Sequence, residues 1–193
     1  MKLIFFVFVS LIAFLSSCSG KKSDTQSETG YLEGTYRMTS TQTVATDTTV
    51  YPSSSQTIYS SETNTGVNFT GTLTVTKTSM QLNGFSYTIN NVGETKTYVA
   101  SSGQTTVQPF STTINNVSAP SIAASYTLST AKDSVTISNI LDIVQSRYDN
   151  PGKYKVTVNG STVTFSMNYY TNTSSGGYNM RKRLITTTVY QKQ

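Results

Sequence analysis

The sequence predicts an all-β domain of eight to ten antiparallel strands, closed into a barrel, with a β-sandwich as the alternative. Three observations predict it. Thr, Ser, Tyr and Val dominate the chain beyond residue 18; apart from Ser these are strand formers, and strong helix formers are scarce. Two stretches alternate apolar and polar residues with a period of two, the pattern of strands with one buried face. That many short strands must close or stack to protect their edges.

The N-terminus comes first and stands apart from this pattern. Lys2 precedes a 13-residue apolar run, Leu3 to Leu15. A bilayer span needs about 20 apolar residues, whereas secretory h-regions run about 7–15, so residues 1–17 read as a signal peptide. Cys18 is the only cysteine, which excludes a disulfide within the chain. Leu15-Ser16-Ser17-Cys18 resembles the bacterial lipobox, in which the cysteine becomes the mature N-terminus and carries the acyl chains. The resemblance implies lipidation at Cys18 and a stable anchor, since two or more acyl chains hold a protein firmly. Ser19 and Gly20 do not include the aspartate that marks inner-membrane retention in some lipobox proteins, so the resemblance implies an envelope location in the outer membrane. Residues 18–30 are small and polar and read as the lipidated cysteine and a flexible tether.

The single domain is expected over residues 31–193. Tyr31 to Met38 reads as the first strand, with Tyr36 and Met38 on one face. Gly34 followed closely by Tyr36 resembles the opening strand of lipocalin-like barrels, which usually carry tryptophan where this chain has tyrosine. Val67 to Thr78 gives the clearest alternation: Val67, Phe69, Leu73 and Val75 share a face, opposite a row of threonines. Met80 and Leu82 are even-numbered, while Phe85, Tyr87 and Ile89 are odd. These phase changes call for a turn near Thr76–Ser79 and a bulge or hairpin turn at Asn83-Gly84. Shorter strands are expected over Thr57–Ser61, Thr95–Ala100, Thr105–Ile114, Ala124–Leu128 and Ser134–Ile137.

One segment breaks the β pattern. Ile140, Leu141, Val144 and Tyr148 recur at helical spacing after Asn139, and Asn150-Pro151-Gly152 stops them. A short helix fits, with an irregular strand as the alternative. Lys153 to Tyr170 then reads as a hairpin turning at Asn159-Gly160, placing Val156 opposite Val163 and Tyr154 opposite Phe165. Thr171 to Gly177 reads as a loop, and Tyr178 to Tyr190 as the last strand.

Composition removes several functions. The chain has no histidine, so a Ser-His-Asp triad and a His-based zinc site are excluded. The carboxylates show no metal-ligand or paired-acid spacing, and no serine lies in a nucleophile elbow. No catalytic residue, metal or cofactor is expected, and the protein reads as non-enzymatic. Net charge is +5, or +4 without Lys2, and nothing in it points to nucleic acid.

What remains is binding. Tyr36, Phe69, Tyr87, Phe165 and Tyr169 are the expected walls of a cavity for a small apolar or amphipathic ligand, and equally the expected plain core. Arg181-Lys182-Arg183 is the one dense basic run. On a strand Arg181 and Arg183 share a face, which suits either an anionic ligand or a charged edge. Asp47-Thr48-Thr49 and Asp133-Ser134-Val135 resemble the O-glycosylation signal of exported Bacteroidota proteins, which implies Thr48 and Ser134 as acceptors. Two functions follow: a lipid-anchored lipocalin-like barrel holding a small ligand, or a structural or interaction lipoprotein that binds an envelope complex or a surface glycan.

Overall fold

The chain is all-β and antiparallel in a computed structural model, which describes residues 30–119, 121–138 and 152–193. The expected signal peptide, most of the tether and the helix expected over Asn139–Tyr148 lie outside those residues. Nine strands run in order: β1 Gly34–Tyr51, β2 Gln56–Val75, β3 Ser79–Val99, β4 Gln104–Ala119, β5 Ile122–Leu128, β6 Ser134–Ile137, β7 Lys153–Asn159, β8 Thr162–Ser175 and β9 Tyr178–Lys192. A 3₁₀ turn at Pro52–Ser54 joins the first two.

The sheet closes into a ring. Apart from β4 and β5, which do not pair with each other, each strand pairs with its sequence neighbours; β1 pairs with β9, and β3 pairs with both β4 and β5. Phe85 stands opposite Ala119 on β4 and Leu82 opposite Ile122 on β5. Thus β4 and β5 act as one long strand broken near Pro120, and the barrel is an eight-membered meander. The sandwich alternative falls away because the first and last strands pair directly.

The barrel is filled from inside by apolar side chains. Leu73, Met80, Leu82, Tyr87 and Val135 are among the most deeply buried, with Phe85, Val156, Val163, Phe165 and Tyr190 around them. Each such side chain contributes about 1.5–3 kcal/mol on burial. The phase change predicted between Leu82 and Phe85 is real: both are core residues, and Gly84 adopts a φ of +56° as the extra residue of a bulge. The turn predicted near Thr76–Ser79 is also present, with Thr76 N–H donating to the Ser79 carbonyl at 2.9 Å.

Other expectations need correcting. β1 runs 18 residues, not eight, and begins at Gly34. Val67 does not share the core face with Leu73. A bulge at Asn68 (φ +58°) inverts the phase, so that buried Gly66 lies on the inner side instead. The β7–β8 turn is Gly160-Ser161, with Val158 opposite Val163 and Val156 opposite Phe165. The slip is two residues, an even number, so every side chain keeps its face. Thr171–Ser175 is strand rather than loop; the turn shrinks to Gly176-Gly177, both with positive φ.

The wall is uneven in height. β5, β6 and β7 are short, while β1, β2, β3, β4, β8 and β9 rise well past the ring. At about 3.4 Å per residue β1 spans about 60 Å. Above the barrel these six form a single sheet in the order β4-β3-β2-β1-β9-β8. Gln104 to Thr113 of β4 is exposed on both of its faces. Where barrel gives way to open sheet, the inner apolar layer becomes polar. Thr41 and Thr188 share a buried hydroxyl–hydroxyl bond of 2.9 Å, and Thr43 and Thr186 one of 3.1 Å.

Candidate functional site

The barrel interior receives three of the expected ligand-wall residues fully. Tyr36 is 3% exposed and donates its hydroxyl to the Leu32 carbonyl at 2.8 Å. Burial, reinforced by Tyr126, raises its pKa above the usual phenol value. Tyr87 stacks on Phe69 at 5.7 Å and tilts against Phe85 at 5.4 Å. Phe165 meets Tyr154 and Tyr190 edge-on, at 6.4 and 5.7 Å. Offset and edge-to-face pairs at these separations are the favourable aromatic geometries.

The void beside Tyr36 and Phe165, bounded also by Leu32, Leu73, Val75, Val163 and Tyr190, is about 170 Å³ and has no room for a water molecule. A drug-sized ligand needs about 300 Å³ or more. Tyr36, Tyr87 and Phe165 belong to the buried core cluster, and Phe69 packs half-buried against it. Tyr169 differs. It borders an open groove of about 490 Å³ with Lys153, Lys155, Ser166 and Asn168.

The projecting sheet brings the basic residues together with partners that sequence reading did not connect. Paired positions of adjacent strands point to the same face. Asn172 pairs with Arg181, Arg181 with Thr48, and Thr48 with Tyr59. One row of the outer face therefore reads Asn172, Arg181, Thr48, Tyr59. The row nearer the barrel reads Tyr170, Arg183, Thr46, Ser61, and the row nearer the tip Ser174, Asn179, Val50, Thr57. A half-open groove of about 620 Å³ lies along Arg181, Asn172, Asn179, Thr48, Val50 and Tyr59. Tyr170 and Tyr59 are 55% and 48% exposed. Arg183 Nε donates to Asn168 Oδ1 at 3.2 Å, which fixes its side chain and leaves its terminal nitrogens outward. The Arg181 guanidinium has no hydrogen-bond or ion-pair partner among the described residues.

Charge is sorted between the two faces of this sheet. Asp47 and Glu62 point inward, and Lys182 on the same face pairs in register with Asp47. Burial first, then Glu62, raises the Asp47 pKa above the usual carboxylate range, against a lowering by Lys182. Asn91 Nδ2 donates to Glu62 Oε2 at 3.0 Å. The outward residues of β7, β8, β9, β1 and β2 include Lys153, Lys155, Arg181, Arg183 and Arg37 and no carboxylate. The first acid met along that face is Glu94 on β3, and it is bound to Lys96 at 2.7 Å.

The two expected glycosylation residues occupy different settings. Thr48 is half-buried in mid-strand between Arg181 and Tyr59. Ser134 is exposed at the start of β6. Its hydroxyl donates to Asp133 Oδ1 at 3.2 Å, and Ser129 donates to the same atom at 2.8 Å. Those bonds hold the Asp133 carboxyl below the usual range. Cys18 lies outside the described residues. Among the described residues no group of three or more His, Cys, Asp and Glu gathers to hold a metal ion. No described helix is long and apolar enough to cross a membrane. The outward face of the barrel carries Thr35, Arg37, Gln81, Lys153, Lys155 and Thr187, the reverse of the apolar-out pattern of membrane-spanning barrels.

No protein-family model matches the chain, and no curated protein does. Among solved structures, Ail, the attachment invasion locus protein of Yersinia pestis, aligns at 8% identity over 82% of this chain and 99% of its own, with a TM-score of 0.21. The same protein in complex with the heparin analogue sucrose octasulfate aligns at 7% identity over the same shares, with a TM-score of 0.20. Scores this low carry no argument about this chain.

Proposed function

We propose that this is a lipid-tethered, non-enzymatic lipoprotein of the bacterial envelope, and that its filled barrel is a base for a displayed binding sheet. The observation that carries this reading is the contrast between the two spaces. The void beside Tyr36 and Phe165 admits no water, whereas the outer groove beside Arg181 offers about 620 Å³. A closed interior favours the interaction lipoprotein over the small-ligand carrier. β1 leaves the tether side at Gly34 and reaches its tip at Tyr51. The projecting sheet thus lies at the end of the domain away from Gly34, about 60 Å along β1, a placement that suits display to an envelope complex or a surface glycan.

Two measurements test it. Growth with an alkyne-labelled fatty acid should label the wild-type protein and not Cys18→Ala; an unlabelled wild type refutes the anchor. Native mass spectrometry of the protein purified from its own host should show no stoichiometric small apolar ligand. A bound ligand that leaves on Phe165→Trp would restore the cavity reading. The glycosylation reading rests on exposure: the intact mass from that host should carry a sugar increment that Ser134→Ala removes and Thr48→Val, at a half-buried site, does not.

A further inference from the structure

We infer that the outer face of the β8–β9–β1–β2 sheet binds an acidic polysaccharide, engaging its carboxylates through Arg181 and Arg183. This rests on the displayed-sheet reading and names the ligand class for it. Alternation along β9 places Arg181 and Arg183 on the outward side and Lys182 on the inward side. Two guanidiniums two residues apart on one strand stand about 7 Å apart along it. Two anionic groups on successive units of a linear polymer can address them together.

Three features separate this surface from a merely charged one. First, it is electrostatically one-signed: Asp47 and Glu62 face the other way, so no outward carboxylate on β7, β8, β9, β1 or β2 competes for the arginines. Second, the arginines are available. Arg181 is exposed and unpaired among the described residues, and Arg183 is steadied by Asn168 through Nε alone. A guanidinium held so presents its fork for bidentate binding of a planar carboxylate. Third, the remaining surface suits a sugar backbone. Asn172 supplies an amide donor and acceptor along the groove, Asn179, whose Oδ1 already accepts from Ser174 at 2.7 Å, supplies amide N–H donors, and exposed Tyr170 and Tyr59 offer ring faces on either side of Arg181 and Arg183. Four strands at about 4.8 Å spacing give a row of about 15 Å across the sheet, enough for several sugar units. An anionic bilayer would satisfy the charges and would make no use of the amides and tyrosine ring along this groove.

The test uses the full-length protein in detergent, immobilised, with polygalacturonate as probe. Fully methyl-esterified polygalacturonate is the uncharged control on the same backbone, and phosphatidylglycerol vesicles are the membrane control. The acid polymer should bind, the ester should not, and added salt should weaken binding, because exposed charges are screened. Arg181→Gln with Arg183→Gln should weaken polygalacturonate binding about tenfold or more, the loss of charge-assisted hydrogen bonds. Both sites are exposed, so the melting temperature of the double variant should match wild type. Tyr59→Ser and Asn172→Ala, which leave the charge intact, should also weaken binding. Equal binding of acid and ester, or an unchanged double variant, overturns the inference. Vesicle binding that exceeds polymer binding, lost on the same arginine changes, overturns it in favour of a membrane surface. A failure here with fatty-acid labelling and an empty barrel intact removes the glycan alone; a ligand inside the barrel removes the displayed-sheet reading beneath it.

Discussion

Gly71 and Gly84 both have positive φ, at +78° and +56°, on either side of the same β2–β3 irregularity. They differ in surroundings. A Cβ on Gly71 would lie 2.5 Å from the Asn83 carbonyl oxygen, 2.6 Å from the Gly84 oxygen and 2.7 Å from the Gly84 carbonyl carbon, whereas a Cβ on Gly84 would meet nothing within 4 Å. The left-handed conformation costs a side-chain-bearing residue about 1–2 kcal/mol. Gly84→Ala bears only that cost. Gly71→Ala bears it too, and must also push backbone away from backbone. Opening the contact gives up at least one ladder hydrogen bond, about 1 kcal/mol more, and loosens the packing of Leu73 beside it. The total is about 3–4 kcal/mol. In a domain of this size 1 kcal/mol moves the melting temperature by about 2–4 °C. Thermal unfolding followed by circular dichroism should then show Gly84→Ala about 2–8 °C below wild type and Gly71→Ala about 6–16 °C below. Equal losses at the two positions would refute the close-approach argument and leave backbone conformation as the whole effect.

Three further outcomes follow from the same structure. Thr43→Val or Thr186→Val alone should cost about 1–3 kcal/mol by orphaning the buried partner hydroxyl, while the double change should cost much less than the sum, as read by a denaturant double-mutant cycle. Asp47 has a raised pKa in the folded state, so the folded protein holds the proton more tightly. Stability is then lost as pH rises from the ordinary carboxylate range through the raised value. Asp47→Asn should therefore raise the melting temperature at neutral pH and leave it unchanged near pH 3, and an equal gain at both would refute this. Pro109 lies in the free edge strand β4 opposite Glu94, with its neighbours in unbroken register. A proline fits there only with its nitrogen turned away from β3, where it interrupts the open edge. Pro109→Thr should shift the protein toward edge-paired oligomers in analytical ultracentrifugation.

The sequence made the barrel legible where one face is dry. Met80 and Leu82 against Phe85 and Tyr87 revealed a bulge, and Ser134–Ile137 appears at its predicted bounds. It concealed the projecting sheet, because a strand without a buried apolar layer needs no apolar alternation. Thr95–Ala100 and Thr105–Ile114 therefore read as fragments of what are strands of 21 and 16 residues. Phe165 and Tyr36 could not be assigned between core and cavity, since both roles require an inward aromatic ring. Arg181 and Arg183 were visible as a basic run. Their companions Tyr59, Asn172 and Asn179 were not, since bringing Tyr59 beside Arg181 takes the register of two strand pairs at once.

The closure of the ring has a kinetic consequence. Seven of the barrel's eight seams join neighbours in sequence and can form hairpin by hairpin as the chain appears. The eighth joins the two ends: Thr41 and Thr188, whose hydroxyls meet in the wall, are 147 residues apart. Loop closure over that span brings its reward only when the last strand arrives. Until β9 is in place, one edge of β1 has no partner. A chain lacking Tyr178–Lys192 would be left holding an open sheet.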